Sequence, residues 1–321
     1  MKLKSIVAAA LLPLASTCIA AQPAPQAYPN RPVRIIVPVS PGGGVDAVAR
    51  IAASHYHATW GQPFVIDNRT GAGGSIGVEL VAKAAPDGYT LLVASSGVVT
   101  NAAIRPQGYD PVRDLTAITA LNSAPYLLLT TPSLPVSNVK ELVALAKAKP
   151  GAISFGSSGV GGILHLGAEL FLALTGTQML HVPFKGVGEA YPAVVSGDVN
   201  WILGFPTSAL PLVKSGRLKP LAITGSTRSK LLPELPTVAE SGVAPGYDVR
   251  AWFAMFAPAG TKPDLVARLY AEAKRAMQAP DVVKRMNAEG AEVVVNPPEE
   301  FARDVRSEYA KWRELVKKLK L

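Results

Sequence analysis

Residues 37–50 read VPVSPGGGVDAVAR, an apolar run, a proline, three consecutive glycines and then an aspartate at the start of a helix-like stretch. Three glycines in a row cost conformational entropy on folding, so the loop needs bare backbone for a close approach or an unusual turn. Backbone N–H groups at a helix start, reinforced by the helix dipole, form a cradle for an anion such as a carboxylate. Ser40, Gly42, Gly43 and Gly44 are the candidates for that cradle. Asp46 has two readings, an N-cap accepting the N–H of Val48 or Ala49, or a direct contact to a ligand's ammonium or hydroxyl. A second loop, Gly156-Ser157-Ser158-Gly159, also runs from a strand-like segment (AISF) into a helix-like one. Two hydroxyls and exposed amides there make a second cradle, from Ser157, Ser158 and Gly159. Together the two loops are able to grip both ends of a diacid or to clamp one carboxylate.

Other chemistries fit the residues less well. The glycines lack the G-x-G-x-x-G spacing, and no G-x-x-x-x-G-K-[ST] loop occurs, so neither phosphate-binding fingerprint is present. The G-x-S-x-G pattern does occur at residues 73–77, centred on Ser75. A nucleophile elbow needs a strand directly before the serine, whereas NRTGAGG precedes this one. The competing enzymatic reading is therefore a secreted serine hydrolase using Ser75 or Ser158. His55 and His57 are two apart, on different faces of a helix, which disfavours shared metal ligation. His165 lies among Ile163, Leu164 and Leu166 and reads as a packed histidine bonded to backbone, and His181 as the end of a strand. No catalytic residue, metal cluster or cofactor site is expected.

The elements that must hold these loops follow a repeating pattern of apolar run, small-residue loop and helix-like segment. VRIIVPV, PFVIDN, YTLLVAS, AISFGSS and VNWILGF each end in such a loop. Strands alternating with helices predict an α/β protein with mainly parallel sheets, whose ligands sit beyond the carboxyl ends of the strands. Two segments read as crossings, near Pro125–Leu129 and Val249–Phe253, and between them lie about 125 residues, enough for a domain. The expected division is lobe 1 from 28–124 and 252–321, and lobe 2 from 125–251.

Residues 1–21 read as a signal peptide, with Lys2 and Lys4 ahead of the apolar stretch Ile6–Ala15 and small residues at Ala20 and Ala21. Cys18 is the one cysteine, so cleavage leaves no thiol for disulfides, zinc or nucleophilic catalysis. The alternative is lipid anchorage at Cys18. The net charge of +9 drops by two on losing Lys2 and Lys4. Its densest basic cluster, YAKWRELVKKLKL, fits the wet face of a C-terminal helix, with Trp312, Leu315, Val316 and Leu319 opposite. Nucleic acid is therefore not an expected partner.

An exported two-lobed chain with cradles and no catalytic engine resembles the Bug-type periplasmic receptors of tripartite tricarboxylate transporters. The resemblance runs over YPNRPVRIIVPVSPGGGVDAVAR (28–50), NRTGAGGSIGVELVAKAAPDGYTLL (68–92), YDPVRDLTAIT (109–119), FGSSGVGGILHLGAELF (155–171), HVPFKGVGEAYPAVVSGDV (181–199) and LPELPTVAESGVAPGYDVRAWFAMFAPAG (232–260). It implies a flytrap fold of two lobes, each a mainly parallel sheet flanked by helices, closing on a small carboxylate. It implies that the loops at Ser40–Asp46 and Ser157–Gly159 hold that carboxylate, with Ser95 and Ser96 lining the same cleft. It also implies a periplasmic monomer that hands its ligand to a membrane permease, with a signalling partner as the other use of the fold. Where relatives commonly read D-L-M-F-D-N, this chain reads NWILGFPT at 200–207, so that Gly204 and Phe205 replace an acid and an amide. If both face the cleft, the exchange favours an apolar or aromatic ligand body over an amino acid's ammonium.

Overall fold

Val33, Ile35, Ile36 and Val37 are fully buried while Arg34 is exposed, so the first apolar run makes a strand covered on both faces. The computed structural model describes residues 28–319 apart from Gly43, Lys185 and Glu289. The expected signal peptide, Cys18 and the candidate Gly43 lie outside these residues. The chain runs β1 (Val33–Val37), α1 (Gly44–Trp60), β2 (Phe64–Asn68), α2 (Ser75–Ala82), β3 (Thr90–Ser95), α3 (Gly97–Ile104), β4 (Leu115–Pro125), β5 (Leu127–Thr130) and α4 (Val139–Ala148). It continues through β6 (Ser154–Ser157), α5 (Ile163–Thr175), β7 (Leu180–Pro183), α6 (Val187–Ser196), β8 (Trp201–Gly204), α7 (Pro206–Lys214) and β9 (Lys219–Ile223). Then come β10 (Arg250–Pro258), α8 (Pro263–Met277), α9 (Pro280–Ala288), β11 (Glu292–Val293) and α10 (Pro298–Leu319).

Two sheets result, a six-stranded one in the order β11-β4-β10-β3-β1-β2 and a five-stranded one in the order β7-β6-β8-β5-β9. Parallel pairing follows the strand–helix alternation, β1 with β2 and β3, and β6 with β7 and β8. The crossing strands pair antiparallel, β10 with β3 and β4, and β5 with β8 and β9. Each sheet is thus mixed rather than mainly parallel. The sequence periodicity could not show this, because pairing direction depends on where a strand enters the sheet.

The chain passes between the sheets at Tyr126 and again over 224–249, and Thr224 ties the two passages together. The Tyr126 N–H donates to Thr224 Oγ1 at 2.7 Å, and the Thr224 N–H returns a bond to the Tyr126 carbonyl at 2.9 Å. The Thr224 hydroxyl donates to the Val249 carbonyl at 2.6 Å. Thr224 thus joins the two passages, and one apolar cluster including Ile36, Val78, Phe155 and Trp201 continues across this joint. The last helix, α10, buries Phe301, Val305, Trp312, Leu315 and Val316, each contributing on the order of 1.5–3 kcal/mol. That fixes it firmly, with Lys317 and Lys318 exposed as the charge pattern predicts, while Lys311 is half-buried and donates to the Asp248 carbonyl at 3.2 Å. No helix among the described residues is long and apolar enough to cross a membrane.

Candidate functional site

The loops that leave the carboxyl ends of β1, β2 and β3 are bound to one another. Asn68 Nδ2 donates to the Val39 carbonyl at 2.9 Å and to Asp46 Oδ1 at 3.1 Å. Asn101 Nδ2 on α3 donates to the Gly73 carbonyl at 2.8 Å. A small pocket opens here, lined by Pro38, Val39, Gly73, Gly74, Ser95 and Asn101 among others. Ser95, half-buried at the end of β3, faces this pocket and accepts the Gly97 N–H at 3.4 Å. Ser96 is buried beneath it, its N–H donating to the Trp252 carbonyl at 3.0 Å. Ser40 is exposed on the first loop.

The glycines of that loop have separate reasons. Gly42 sits at φ +85°, in the left-handed region that disfavours a side chain. Gly44 opens α1, and a Cβ there would stand 3.0 Å from the Phe253 ring.

Asp46 is the third residue of α1 rather than its N-cap, because the helix begins three residues earlier than the capping expectation requires. It is 2 % exposed and reaches back into the loop. Its Oδ2 accepts the Gly42 N–H and Arg50 Nε, both at 2.9 Å, and its Oδ1 accepts Arg50 Nη2 and Asn68 Nδ2, both at 3.1 Å. The Arg50 guanidinium, with help from Gly42 and Asn68 and against the effect of burial, holds the carboxyl down to about 2. Four donors on two oxygens leave Asp46 fastening the loop.

In the five-stranded half, the loop after β6 arches over two histidines. Ser157 is fully buried, its Oγ 2.7 Å from His181 Nε2 and 3.2 Å from the Gly159 N–H it accepts. The Gly161 N–H donates to His165 Nδ1 at 3.0 Å. The two imidazoles stack with centroids 4.0 Å apart, and Phe155 stacks on His181 at 4.9 Å. Burial, then the neighbouring His165, push the His181 imidazole down to about 4, with Glu169 pulling the other way. Ser158 and Gly159 are half-buried, on the crest of the arch. A Cβ on Gly161 would lie 2.9 Å from Ile104 Cδ1 on α3, so this arch meets the six-stranded half. His165 is indeed packed and bonded to backbone. What the sequence reading missed is its stacking on His181, since the two residues come from an α-helix and a strand sixteen positions apart.

Gly204 corrects an expectation. A Cβ there would sit 2.6 Å from the Tyr191 hydroxyl and 2.7 Å from Leu129 Cδ1, inside the five-stranded half. No acid fits, so Gly204 is a packing glycine of β8 and does not stand for a missing cleft carboxylate. Phe205 is half-buried, with its ring edge-on to Tyr126 at a centroid distance of 4.9 Å. Tyr126 at the joint therefore engages the ring that was expected to receive a ligand. Ser75 is likewise no nucleophile, being 5 % exposed with no hydrogen-bond partner at its hydroxyl.

Two glycine-bearing loops thus lie at the carboxyl ends of parallel strands, one in each sheet. Residues 48–321 match the family described as tripartite tricarboxylate transporter family receptor, TctC. The chain belongs to that family. It is 36 % identical over 307 residues to Protein BugT of Bordetella pertussis, covering 95 % of this chain and 94 % of BugT. Among solved structures, it is similar to R. palustris Rpa4515 with adipate, at 35 % identity and TM-score 0.74, covering 90 % of this chain and 97 % of that one. It is also similar to MatC from Rhodopseudomonas palustris with bound malate, at 33 % identity and TM-score 0.72, covering 90 % and 100 %. TctC proteins are periplasmic solute-binding receptors, not enzymes. The fold is the two-sheet α/β fold of periplasmic binding proteins. This excludes the hydrolase reading.

Proposed function

We propose that this TctC receptor captures a small dicarboxylate between its two halves and delivers it to the membrane components of a tripartite tricarboxylate transporter. The reading is supported by two small-residue loops at the carboxyl ends of parallel strands, Ser40, Gly42 and Gly44 with Ser95 on one half and Ser157–Gly159 on the other, with Gly161 just beyond the second loop against Ile104 of α3 on the first half. The first loop ends at the start of α1, whose dipole favours an anion, and the hydroxyls of Ser40, Ser95 and Ser158 supply further donors. Adipate and malate in the two similar structures are the ligand class this suggests. Amino acids fit poorly, because the four donors on Asp46 leave its oxygens occupied and Gly204 leaves no room for an acid. A buried ammonium without a partner costs several kcal/mol. The Tyr126–Phe205 contact removes the support for an aromatic ligand over an aliphatic one.

Calorimetric titration with adipate, malate, benzoate, aspartate and glutamate tests the reading. A dicarboxylate is expected to bind at least tenfold more tightly than either amino acid, about 1.4 kcal/mol. Saturating ligand is also expected to shrink the radius of gyration in small-angle scattering as the halves close about the joint. Tighter binding of aspartate or glutamate refutes the dicarboxylate assignment.

A further inference from the structure

We propose that His165 and His181 are positioning residues of the ligand site, holding the 157–161 arch in its carboxylate-receiving form while neutral and releasing it on taking up protons. The inference rests on the receptor reading above and adds its regulation. Its ground is the hydrogen-bond direction. The Gly161 N–H donates to His165 Nδ1 at 3.0 Å, so that nitrogen must be bare, with the ring proton on Nε2 facing Glu169 Oε1 at 3.6 Å. A proton added at Nδ1 turns the acceptor into a donor facing a donor, and the Gly161 amide loses its buried partner. Next to it, His181 Nε2 meets the hydroxyl of Ser157, which in turn accepts the Gly159 N–H. Two of the arch's glycine amides therefore trace back to this one pair of rings.

The surroundings set how the pair responds. From α5 the facing groups are His165 itself and Glu169, from β7 His181, and from β6 the uncharged Ser157 and Phe155. With centroids 4.0 Å apart, a charge on one ring opposes a charge on the other, and Glu169 is the charged group that favours either. Burial and the facing ring hold the His181 imidazole down to about 4, so His181 takes up its proton only in acid. An exported receptor experiences the pH of its surroundings, so the arch would loosen its carboxylate in acid without any change in the opposite loop.

The test compares adipate affinity at about pH 7 and about pH 3, a unit below the His181 value of about 4, for the wild type, His165→Asn and His181→Gln. Asn and Gln place an amide oxygen near Nδ1 and Nε2 respectively and cannot take up a proton in this range. At neutral pH the variants are expected within a few-fold of wild type. In acid the wild type is expected to lose about tenfold more affinity than the variants, adipate's own titration being common to all three. Parallel profiles overturn the proposal. If the variants do not fold, NMR of the wild type decides it by following the imidazole nitrogens and the exchange of the Gly161 amide through the same pH range. Loss of protection as the rings protonate supports the proposal, and an amide still protected after protonation overturns it. If wild type binds no carboxylate at pH 7, the receptor reading fails on its own, and the NMR measurement still judges the histidine pair.

Discussion

The two candidate ligand loops do the same structural job with different chemistry. On the six-stranded half, the loop is fastened by a charge, the Asp46 carboxylate held by Arg50, Asn68 and the Gly42 amide. On the five-stranded half, the arch is fastened by a hydroxyl and two stacked neutral imidazoles. A paired carboxylate resists acid, because its proton must displace an arginine. An imidazole acceptor does not, because its bare nitrogen is the place a proton goes. The comparison shows that rigidity at a binding loop and indifference to pH are separate properties.

The largest expected effect comes from removing the charged fastening. Asp46→Ala strips four donors of their acceptor at once. Breaking a buried ion pair typically costs 3–5 kcal/mol. Arg50 is 55 % exposed and regains water, so a loss of about 2–3 kcal/mol is expected in urea unfolding at neutral pH, with carboxylate affinity falling more than tenfold. Asp46→Asn should fall between. Unchanged stability would break the idea that this loop is pinned by its aspartate.

Acid titration separates the two fastenings. The folded state holds the Asp46 carboxyl at about 2, below its ordinary 3.8, so it stabilises the fold above 3.8 and that contribution fades as pH falls towards 2. His181 is held at about 4, below its ordinary 6.5, so the unfolded chain binds the extra proton between those values. Its contribution is therefore complete above pH 6.5 and is lost as pH falls towards 4. Relative to His181→Gln, the wild type should lose stability from pH 6.5 to 4. Its advantage over Asp46→Ala should hold across that window and shrink only below about pH 3.8. Curves that shrink together would mean the loops are not independently fastened.

The strand–loop–helix rhythm and the glycine loops were legible in the sequence because they are local: VRIIV buries as a strand, and GGG precedes a helix start. Pairing direction was not, since β5 and β10 pair antiparallel through contacts with distant segments. Gly42 was read as backbone open to an anion, and its φ of +85° gives the glycine a conformational reason. At Gly204 a motif comparison suggested a missing acid, yet the Cβ direction meets Tyr191 and Leu129, which no local pattern encodes. The histidine stack was invisible for the same reason. The α5 segment and β7 each look unremarkable until β6 brings Ser157 between them.

Ser157→Ala tests the neutral fastening directly. It leaves the Gly159 N–H and His181 Nε2 without their shared partner in a fully buried position. A stability loss of about 1–2 kcal/mol is expected, smaller than for Asp46→Ala because no charge is stranded. Thermal unfolding measures it, and a shift within error would place the arch's rigidity elsewhere.

The neighbouring serine should behave in the opposite way, and it gives the smallest effect. Ser158 is half-buried on the crest of the arch, one residue beyond the hydroxyl that His181 holds. Ser157 Oγ bonds His181, whereas Ser158 lies just past the end of β6 with its Oγ 3.5 Å from where a Cβ on Gly162 would stand. Ser158→Ala should change stability by less than about 0.5 kcal/mol, as for a surface substitution. If the crest contacts a carboxylate, adipate affinity should nevertheless fall by about 1.5 kcal/mol, the lower end for a hydrogen bond to a charged group. Calorimetry and thermal unfolding on the same preparation read both quantities. Lost stability with intact affinity would reverse the assignment of the two serines, putting Ser158 in the fastening and Ser157 at the ligand.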